Sequence, residues 1–163
     1  MCIRDRTYVD NSTVSSLACG PRVTGVANYD EARELVHASS SQGPTRDGRF
    51  KPEIAAPGTE IVAACGFDPD RKWVAMTGTS MASPYVSGVA ALMLSLNPSL
   101  TAAQIGGIIR RTSQPLPGSS YAWQNDAGFG VIDAQACMRE AVRIGQRVKD
   151  LTKAPSQTKK VSA

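Results

Sequence analysis

Short apolar runs separated by turn residues fill the first half of the chain. Four of them are rich in β-branched or small apolar residues and most are bounded by Gly, Pro or Asp, namely residues 22–28, 53–56, 60–65 and 73–76. Runs of this length and composition predict strands of a mostly buried sheet. The interval from residue 31 to residue 51 loses this pattern and contains Gly43-Pro44 and Asp47-Gly48, which predict loops.

A different pattern begins at Ser80. Apolar residues then recur at mixed three- and four-residue intervals, and most positions between them are small or apolar; the recurring residues are Met81, Val86, Val89, Ala90, Met93 and Leu96. This pattern predicts a largely buried helix. Pro84 falls near the end of its first turn, where a missing N–H is tolerated, and Asn97-Pro98 is expected to end it.

Two further helices are predicted downstream. Thr101 and Gln104 match a capping box at the start of a short surface helix. Asp133 is expected to cap a last helix, and from residue 146 onward the composition predicts a basic, disordered tail over residues 146–163. Strands and helices in alternation predict an α/β domain with a largely parallel sheet and helices on its faces.

The composition is that of one globular domain. The chain has 163 residues, of which 42% are hydrophobic and 20% charged. The net charge of +4 comes from the tail, where five basic residues face only Asp150, so the rest of the chain is neutral and no nucleic-acid binding is expected. The alternative for the tail is an arm that binds an acidic surface. The longest strongly apolar stretch, residues 86–96, is too short to cross a bilayer, and no membrane partner is expected.

The cysteines and the N-terminus exclude some functions and leave others open. Four cysteines, at positions 2, 19, 65 and 137, form no Cys-x-x-Cys pair and no spacing with histidine that suits zinc, so no thiolate metal site is expected. The sequence is compatible with one disulfide. Residues 1–6 have no apolar core and no cleavage site of a secretory signal, and we interpret them as a junction that is not the native start.

Candidate chemistry lies where the predicted strand at residues 73–76 meets the long helix. There Gly78, Thr79 and Ser80 form a turn of small residues, and a hydroxyl in the first turn of a helix lies beside unpaired N–H groups that can bind an oxyanion. Such a tripeptide alone is most often an N-cap. The nucleophile elbow of α/β-hydrolases needs its acid and histidine after the serine, whereas the one histidine, His37, precedes Ser80. The remaining arrangement is one in which the acid and the base precede the nucleophilic serine in the sequence.

The flanking sequence carries a specific resemblance. Residues 78–92 read Gly-Thr-Ser-Met-Ala-Ser-Pro-Tyr-Val-Ser-Gly-Val-Ala-Ala-Leu, which resembles the serine motif of the subtilases, the subtilisin-like serine proteases of peptidase family S8. Residues 40–58 resemble the family's segment before that serine, and residues 128–134 its closing turn. The resemblance implies the C-terminal half of a subtilisin-like three-layer fold, with residues 7–145 as a partial catalytic domain. Tyr85 stands where the family usually has His, and Gln42 where it often has Arg.

The resemblance also implies roles for individual residues. Ser80 would be the acylating nucleophile of an endopeptidase acting on proteins, its own N–H one oxyanion donor, and the Thr79 hydroxyl a support of the same site. Gly78 and Thr77 would line the substrate backbone. Met81 is either an exposed oxidation target or core filler. No cofactor is expected; calcium sites occur in the family, but no carboxylate cluster with suitable spacing is visible here.

The family's Asp motif, His motif and oxyanion Asn all lie before the region matched. His37 lacks the neighbours of the family's His motif and is expected to be incidental. Removing the base of a triad costs about as much rate as removing all three groups, so these 163 residues alone are expected to be inactive. A non-catalytic relic kept for binding, or a half-enzyme that pairs with a separately encoded chain, are the alternatives. The resemblance implies secretion, and half a domain is expected to leave an apolar face of the Ser80 helix uncovered.

Overall fold

The computed structural model of the chain describes residues 11–153, the last six by their backbone alone. Within this range the chain forms one turn of 3-10 helix at Ser16–Ala18, five strands and three α-helices. The elements are β1 (Val26–Asp30), β2 (Leu35–Val36), β3 (Ile54–Pro57), β4 (Ile61–Ala64), β5 (Trp73–Met76), α1 (Thr79–Leu96), α2 (Ala102–Thr112) and α3 (Ala134–Lys153).

A three-stranded sheet in the order β2-β1-β3 forms the centre of the fold. β1 and β3 are parallel, with Val26 opposite Ile54 and Tyr29 opposite Pro57, and a parallel bridge from Ala55 to Val131 extends the sheet on the far side of β3. β2 pairs antiparallel with β1. All four residues of β3 are buried, as expected for a strand covered on both faces. The predicted α/β class is confirmed, with the parallel pairing confined to this centre.

β4 and β5 form a separate two-stranded antiparallel hairpin. Both strands were predicted at these positions, but the prediction that residues 60–65 belong to a buried sheet is wrong. Among the described residues the two strands pair only with each other, and the side chains of Val62 and Trp73 are each 66% exposed. An apolar run has the same composition whether or not another layer covers it, so sequence pattern alone could not show this.

Helix α1 packs against β1, β3 and α3. It contributes one face to the main core, through Ala82, Val86, Val89 and Met93. The prediction that α1 is largely buried is wrong for the described chain. Tyr85, Leu92 and Leu96, which lie along one side of the helix and are here called the apolar stripe, are 42%, 51% and 48% exposed. The uncovered apolar face that we expected is thereby confirmed.

The same helix also meets a composition criterion for crossing a membrane. Over the 18 residues Thr79–Leu96 the mean hydropathy is 1.2, whereas the expectation that no such segment exists considered residues 86–96 alone and is corrected. Length and composition are weak evidence, because a helix in a protein core satisfies them equally. The packing of α1 on the central sheet fits the second case.

The other two helices begin at the predicted caps. The Gln104 N–H donates to the Thr101 hydroxyl at 3.3 Å and the Thr101 N–H donates to the Gln104 side chain at 2.8 Å, which confirms the capping box. The Asp133 carboxylate accepts the Ala136 N–H at 2.8 Å and so caps α3. Because α3 continues to Lys153, the predicted disorder of residues 146–153 is wrong. The rest of the predicted tail and residues 1–6 lie outside the described residues.

The three cysteines of the described range are free thiols. Cys137 is buried, and Cys19 and Cys65 are half-buried. No disulfide therefore joins any two of these three.

The exposed apolar stripe makes a prediction about solubility. The 163 residues expressed alone should aggregate, and the double substitution Leu92→Gln with Leu96→Gln should raise the monomeric fraction while the circular dichroism spectrum stays that of an α/β protein. The matched control is Val89→Gln, which places the same amide at a position of the same helix that is only 3% exposed and should abolish folding. An unaltered chain that is monomeric and unfolds cooperatively on heating would contradict the prediction.

The α3 cap makes a prediction about pH. In the soluble Leu92→Gln, Leu96→Gln background, Asp133→Ala should lower the free energy of unfolding at neutral pH by about 1 kcal/mol, whereas Asp133→Asn should keep the cap. The hydrogen bond from the Ala136 N–H lowers the pKa of Asp133 below its ordinary value of 3.8. A lowered pKa stabilises the fold above the unfolded value and loses that effect as pH falls through the folded value. Urea unfolding should therefore show that the chain with Asp133 loses more stability below about pH 4 than the Asp133→Asn variant, in which Asp47 and Glu140, whose pKa values are also lowered, still titrate; parallel pH profiles would contradict this.

Candidate active site

Ser80 lies in the first turn of α1, shortly after the end of β5 at Met76. Gly78 is the N-cap residue, with φ 156° and ψ 168°, a conformation that side chains with a Cβ rarely adopt. Its carbonyl accepts the N–H groups of Met81 at 3.0 Å and Ala82 at 3.3 Å, which starts the helix. This tight change of direction, here called the nucleophile turn (residues 77–80), leaves Ser80 exposed.

The end of the helix at this turn carries unused hydrogen-bond donors. Gly78 has no side chain to cap the helix, and the N–H groups of Thr79 and Ser80 have no acceptor within residues 11–153. The hydroxyls of Thr79 and Ser80 also have no partner in that range. Free N–H groups and the positive end of the helix dipole favour an anion at this place. The turn can therefore bind a negatively charged oxygen close to Ser80.

The other predicted site residues, Thr77, Gly78 and Thr79, lie in the same turn. Thr77 makes a contact that differs from its predicted role. The Thr77 hydroxyl accepts the Glu60 N–H at 2.9 Å, so this side chain holds the loop after β3, a contact that the sequence did not predict. Met81 is half-buried, between the two alternatives considered for it.

Gly58 supports the nucleophile turn from below, and sequence reasoning missed it. Its carbonyl accepts the Gly78 N–H at 2.8 Å. A Cβ at Gly58 would lie 2.5 Å from Asn28 Oδ1, 2.8 Å from the Gly78 carbonyl oxygen and 2.9 Å from Ala82 Cβ, so only glycine allows this approach. The sequence signal for this contact was the pair Pro57-Gly58, which we interpreted only as the end of a strand.

Asn28 and Thr59 complete the support, and both were also missed. Asn28 is the middle residue of β1 and is fully buried, and its side-chain oxygen accepts the Thr59 hydroxyl at 3.2 Å. Ligand sites of α/β sheets lie beyond the carboxyl ends of parallel strands, and Thr59 lies just beyond the end of β3. The signal in the sequence was a single amide within the apolar run of residues 22–28.

No general base contacts Ser80 within the described residues. The ring of His37 is engaged by Ser39, whose N–H donates to Nδ1 at 3.2 Å and whose hydroxyl lies 2.9 Å from the same atom. The backbone N–H of His37 donates to the Asn28 carbonyl. The described part of the chain also has no group of three or more His, Cys, Asp or Glu residues able to hold a metal ion. The arrangement thus offers a hydroxyl and oxyanion donors without a group to take the proton.

Comparison with known proteins agrees with this geometry. The model of the subtilase family matches residues 6–130. Serine protease AprX of Bacillus subtilis is 32% identical over 143 residues, which cover 77% of this chain and 32% of AprX. Bacillopeptidase F of the same species is 39% identical over 98 residues, 58% of this chain and 7% of the relative. A protein named extracellular protease from Xanthomonas campestris is 33% identical over 95 residues, 55% of this chain and 16% of its own length.

Solved structures give the same picture. The CspB protease of Clostridium perfringens superimposes with a TM-score of 0.71 at 25% identity, over 81% of this chain and 29% of that protein. Fervidolysin from Fervidobacterium pennivorans, a keratinolytic enzyme related to subtilisin, superimposes with a TM-score of 0.61 at 25% identity, over 76% of this chain and 20% of that protein. The chain therefore spans about a third or less of each of these relatives.

The close approach at Gly58 makes a prediction about stability. In the soluble Leu92→Gln, Leu96→Gln background, Gly58→Ala should lower the free energy of unfolding by about 1–3 kcal/mol, because the new methyl group must push apart three packed atoms. The control is Gly66→Ala, where an added Cβ meets nothing within 4 Å and the change should stay within about 0.5 kcal/mol. Equal midpoints for the two variants in urea would contradict the support that we assign to Gly58.

Proposed function

Because this chain belongs to the subtilase family, we propose that Ser80 is the acylating nucleophile of a serine endopeptidase that hydrolyses peptide bonds in proteins. The observation that carries the proposal is the nucleophile turn itself. It holds an exposed serine at an uncapped helix N-terminus, beside two N–H groups that have no acceptor among the described residues. A residue that merely capped the helix would use its hydroxyl on those groups, and Ser80 does not.

In the proposed reaction the Ser80 hydroxyl oxygen attacks the carbonyl carbon of the scissile peptide bond. The hydroxyl proton passes to a histidine, and the carbonyl oxygen becomes an oxyanion that the Ser80 N–H binds, with the Thr79 hydroxyl supporting the same site. The histidine then gives its proton to the leaving amine as the C–N bond breaks. Water next attacks the acyl-enzyme, passes a proton back through the histidine to Ser80, and releases the new carboxylate.

The base and its orienting acid belong, in this proposal, to an upstream part of the domain. His37 hydrogen-bonds to Ser39 and not to Ser80, and no other histidine occurs in the 163 residues. We infer that these residues alone do not hydrolyse peptides, because a triad serine without its base loses nearly all of the triad's contribution.

Secretion and the absence of a cofactor complete the proposal. A relative named extracellular protease supports export of the whole protein. The reaction needs no cofactor. Protein or peptide chains are the partners; neither nucleic acid nor a membrane has a role.

The second candidate is a non-catalytic relic of a subtilase kept for binding. It is favoured by the lack of any base beside Ser80 in the described residues. Against it stands the intact nucleophile turn, which keeps Ser80 exposed beside two N–H groups that have no acceptor among the described residues. A half-enzyme completed by a separately encoded chain is a variant of the first proposal.

A fluorogenic peptide assay tests the proposal in two steps. The 163 residues alone should give no turnover, whereas the same residues joined to the upstream part of the domain encoded by their own gene should be active. In that enzyme Ser80→Ala should lower kcat on the order of a millionfold, the size of loss known for a subtilisin triad. The matched control is Ser95→Ala, an exposed serine at the other end of α1, which should change nothing.

Three outcomes of this assay are informative. Turnover by the 163 residues alone that Ser80→Ala abolishes would contradict the inferred inactivity. Turnover by the joined enzyme that survives Ser80→Ala would contradict the nucleophile. An inactive joined protein, or a gene that encodes no upstream Asp and His motifs, would favour the relic.

A further inference from the structure

A fully buried amide lies in the middle of β1, next to the loop that contacts the nucleophile turn. Asn28 is 0% exposed, and its neighbours in β1, Val26 and Ala27, belong to the apolar clusters on the two faces of the sheet. Burying an amide costs free energy unless its polar atoms are paired, so an asparagine here needs a physical reason. The packing of the core alone would be better served by an apolar residue of the same size.

The backbone of Asn28 is fixed by hydrogen bonds to residues that follow β2. Its N–H donates to the Ser40 hydroxyl at 2.8 Å, and its carbonyl accepts the His37 N–H at 2.8 Å. The residue is also in register with Ala56 in the parallel pair β1 and β3. The backbone that carries the Asn28 side chain is therefore held rigidly.

The Asn28 amide holds the loop that follows β3. Its oxygen accepts the Thr59 hydroxyl at 3.2 Å, and the same oxygen faces the Cα of Gly58, where a Cβ would approach it to 2.5 Å. The amide nitrogen has no partner within residues 11–153. The hydrogen bond to Thr59 is thus the one that explains the amide.

The same loop is joined to the nucleophile turn at two points. The Gly58 carbonyl accepts the Gly78 N–H at 2.8 Å, and the Glu60 N–H donates to the Thr77 hydroxyl at 2.9 Å. Thr59, the residue that Asn28 holds, lies between these two points. Any displacement of the loop must therefore move the residues that lead into Ser80.

We propose that Asn28 is a positioning residue for Ser80, which acts by holding the loop of residues 58–60 against the nucleophile turn. The proposal rests on the proposed function, since it assigns a role within the same site. A hydroxyl that attacks a carbonyl and the donors that bind the oxyanion must be held to within a fraction of an ångström, and a shift of about 1 Å can cost a hundredfold in rate. An apolar residue at position 28 would fill the space but would leave the Thr59 hydroxyl without its acceptor.

Kinetics of the joined, active enzyme test this proposal. Asn28→Val, which has a similar volume, should lower kcat about tenfold per active site while KM stays within about twofold. The concentration of active sites is measured by titration with a fluorophosphonate, so that unfolded molecules do not count. Thr59→Val should have the same effect, and Thr59→Ser, which keeps the hydroxyl, should restore the rate.

A double-mutant cycle shows whether the two residues act through one hydrogen bond. The combined Asn28→Val, Thr59→Val enzyme should be no slower than either single variant, because the same contact is lost in each. If Asn28→Val does not fold, Thr59→Val breaks the same contact at a half-buried position and gives the test by itself.

The matched control is Asn97→Val. Asn97 is also a buried asparagine of the region, 5% exposed, and its amide donates to the Ala141 carbonyl at 3.1 Å at the other end of α1. This variant should lose thermal stability but keep kcat per active site, as a purely structural amide would.

Two results overturn the proposal in distinguishable ways. Turnover that Ser80→Ala abolishes, combined with Asn28→Val and Thr59→Val enzymes whose kcat per active site equals that of the unaltered enzyme, would overturn the positioning role alone. Turnover that survives Ser80→Ala would overturn the proposed function and this role with it.

Discussion

The approach of two glycines, Gly58 and Gly78, is the constraint on which the rest of the site depends. One donates a backbone N–H and the other accepts it at 2.8 Å, and neither position leaves room or conformation for a larger residue. This contact joins the end of the central parallel strands to the start of α1. It fixes where the helix begins, and the start of the helix decides where Ser80 and the free N–H groups lie. Catalysis by positioned donors needs such a rigid base.

Much of this arrangement could be predicted from the sequence because it depends on local chemistry. The turn of small residues at Ser80, the capping box at Thr101 and the cap at Asp133 each reflect hydrogen bonds within a few residues. The predictions that were wrong or missing concern contacts between residues that are distant in sequence. The apolar residues of α1 and of the hairpin look the same whether or not another layer covers them. Asn28 and Gly58 are brought under Ser80 only by the parallel pairing of β1 with β3.

The candidate site and the apolar stripe of α1 are both incomplete in the described chain. The site lacks a base, and the stripe lacks a covering layer. The turn has a serine hydroxyl and free N–H groups but no base among the described residues, and the helix that carries it exposes Tyr85, Leu92 and Leu96. A serine hydroxyl without an adjacent base is a poor nucleophile, and an exposed apolar stripe favours association. Both features fit the proposal that Ser80 works only when further protein completes the domain.

Covalent labelling of the joined enzyme shows whether Ser80 is the nucleophile. A fluorophosphonate reacts with a serine only where a base and an oxyanion site act on it together. Mass spectrometry should find one phosphonyl group on the peptide that contains Ser80, and none on the 163 residues alone. A label on a different residue, or peptide hydrolysis that continues with Ser80 unlabelled, would contradict it.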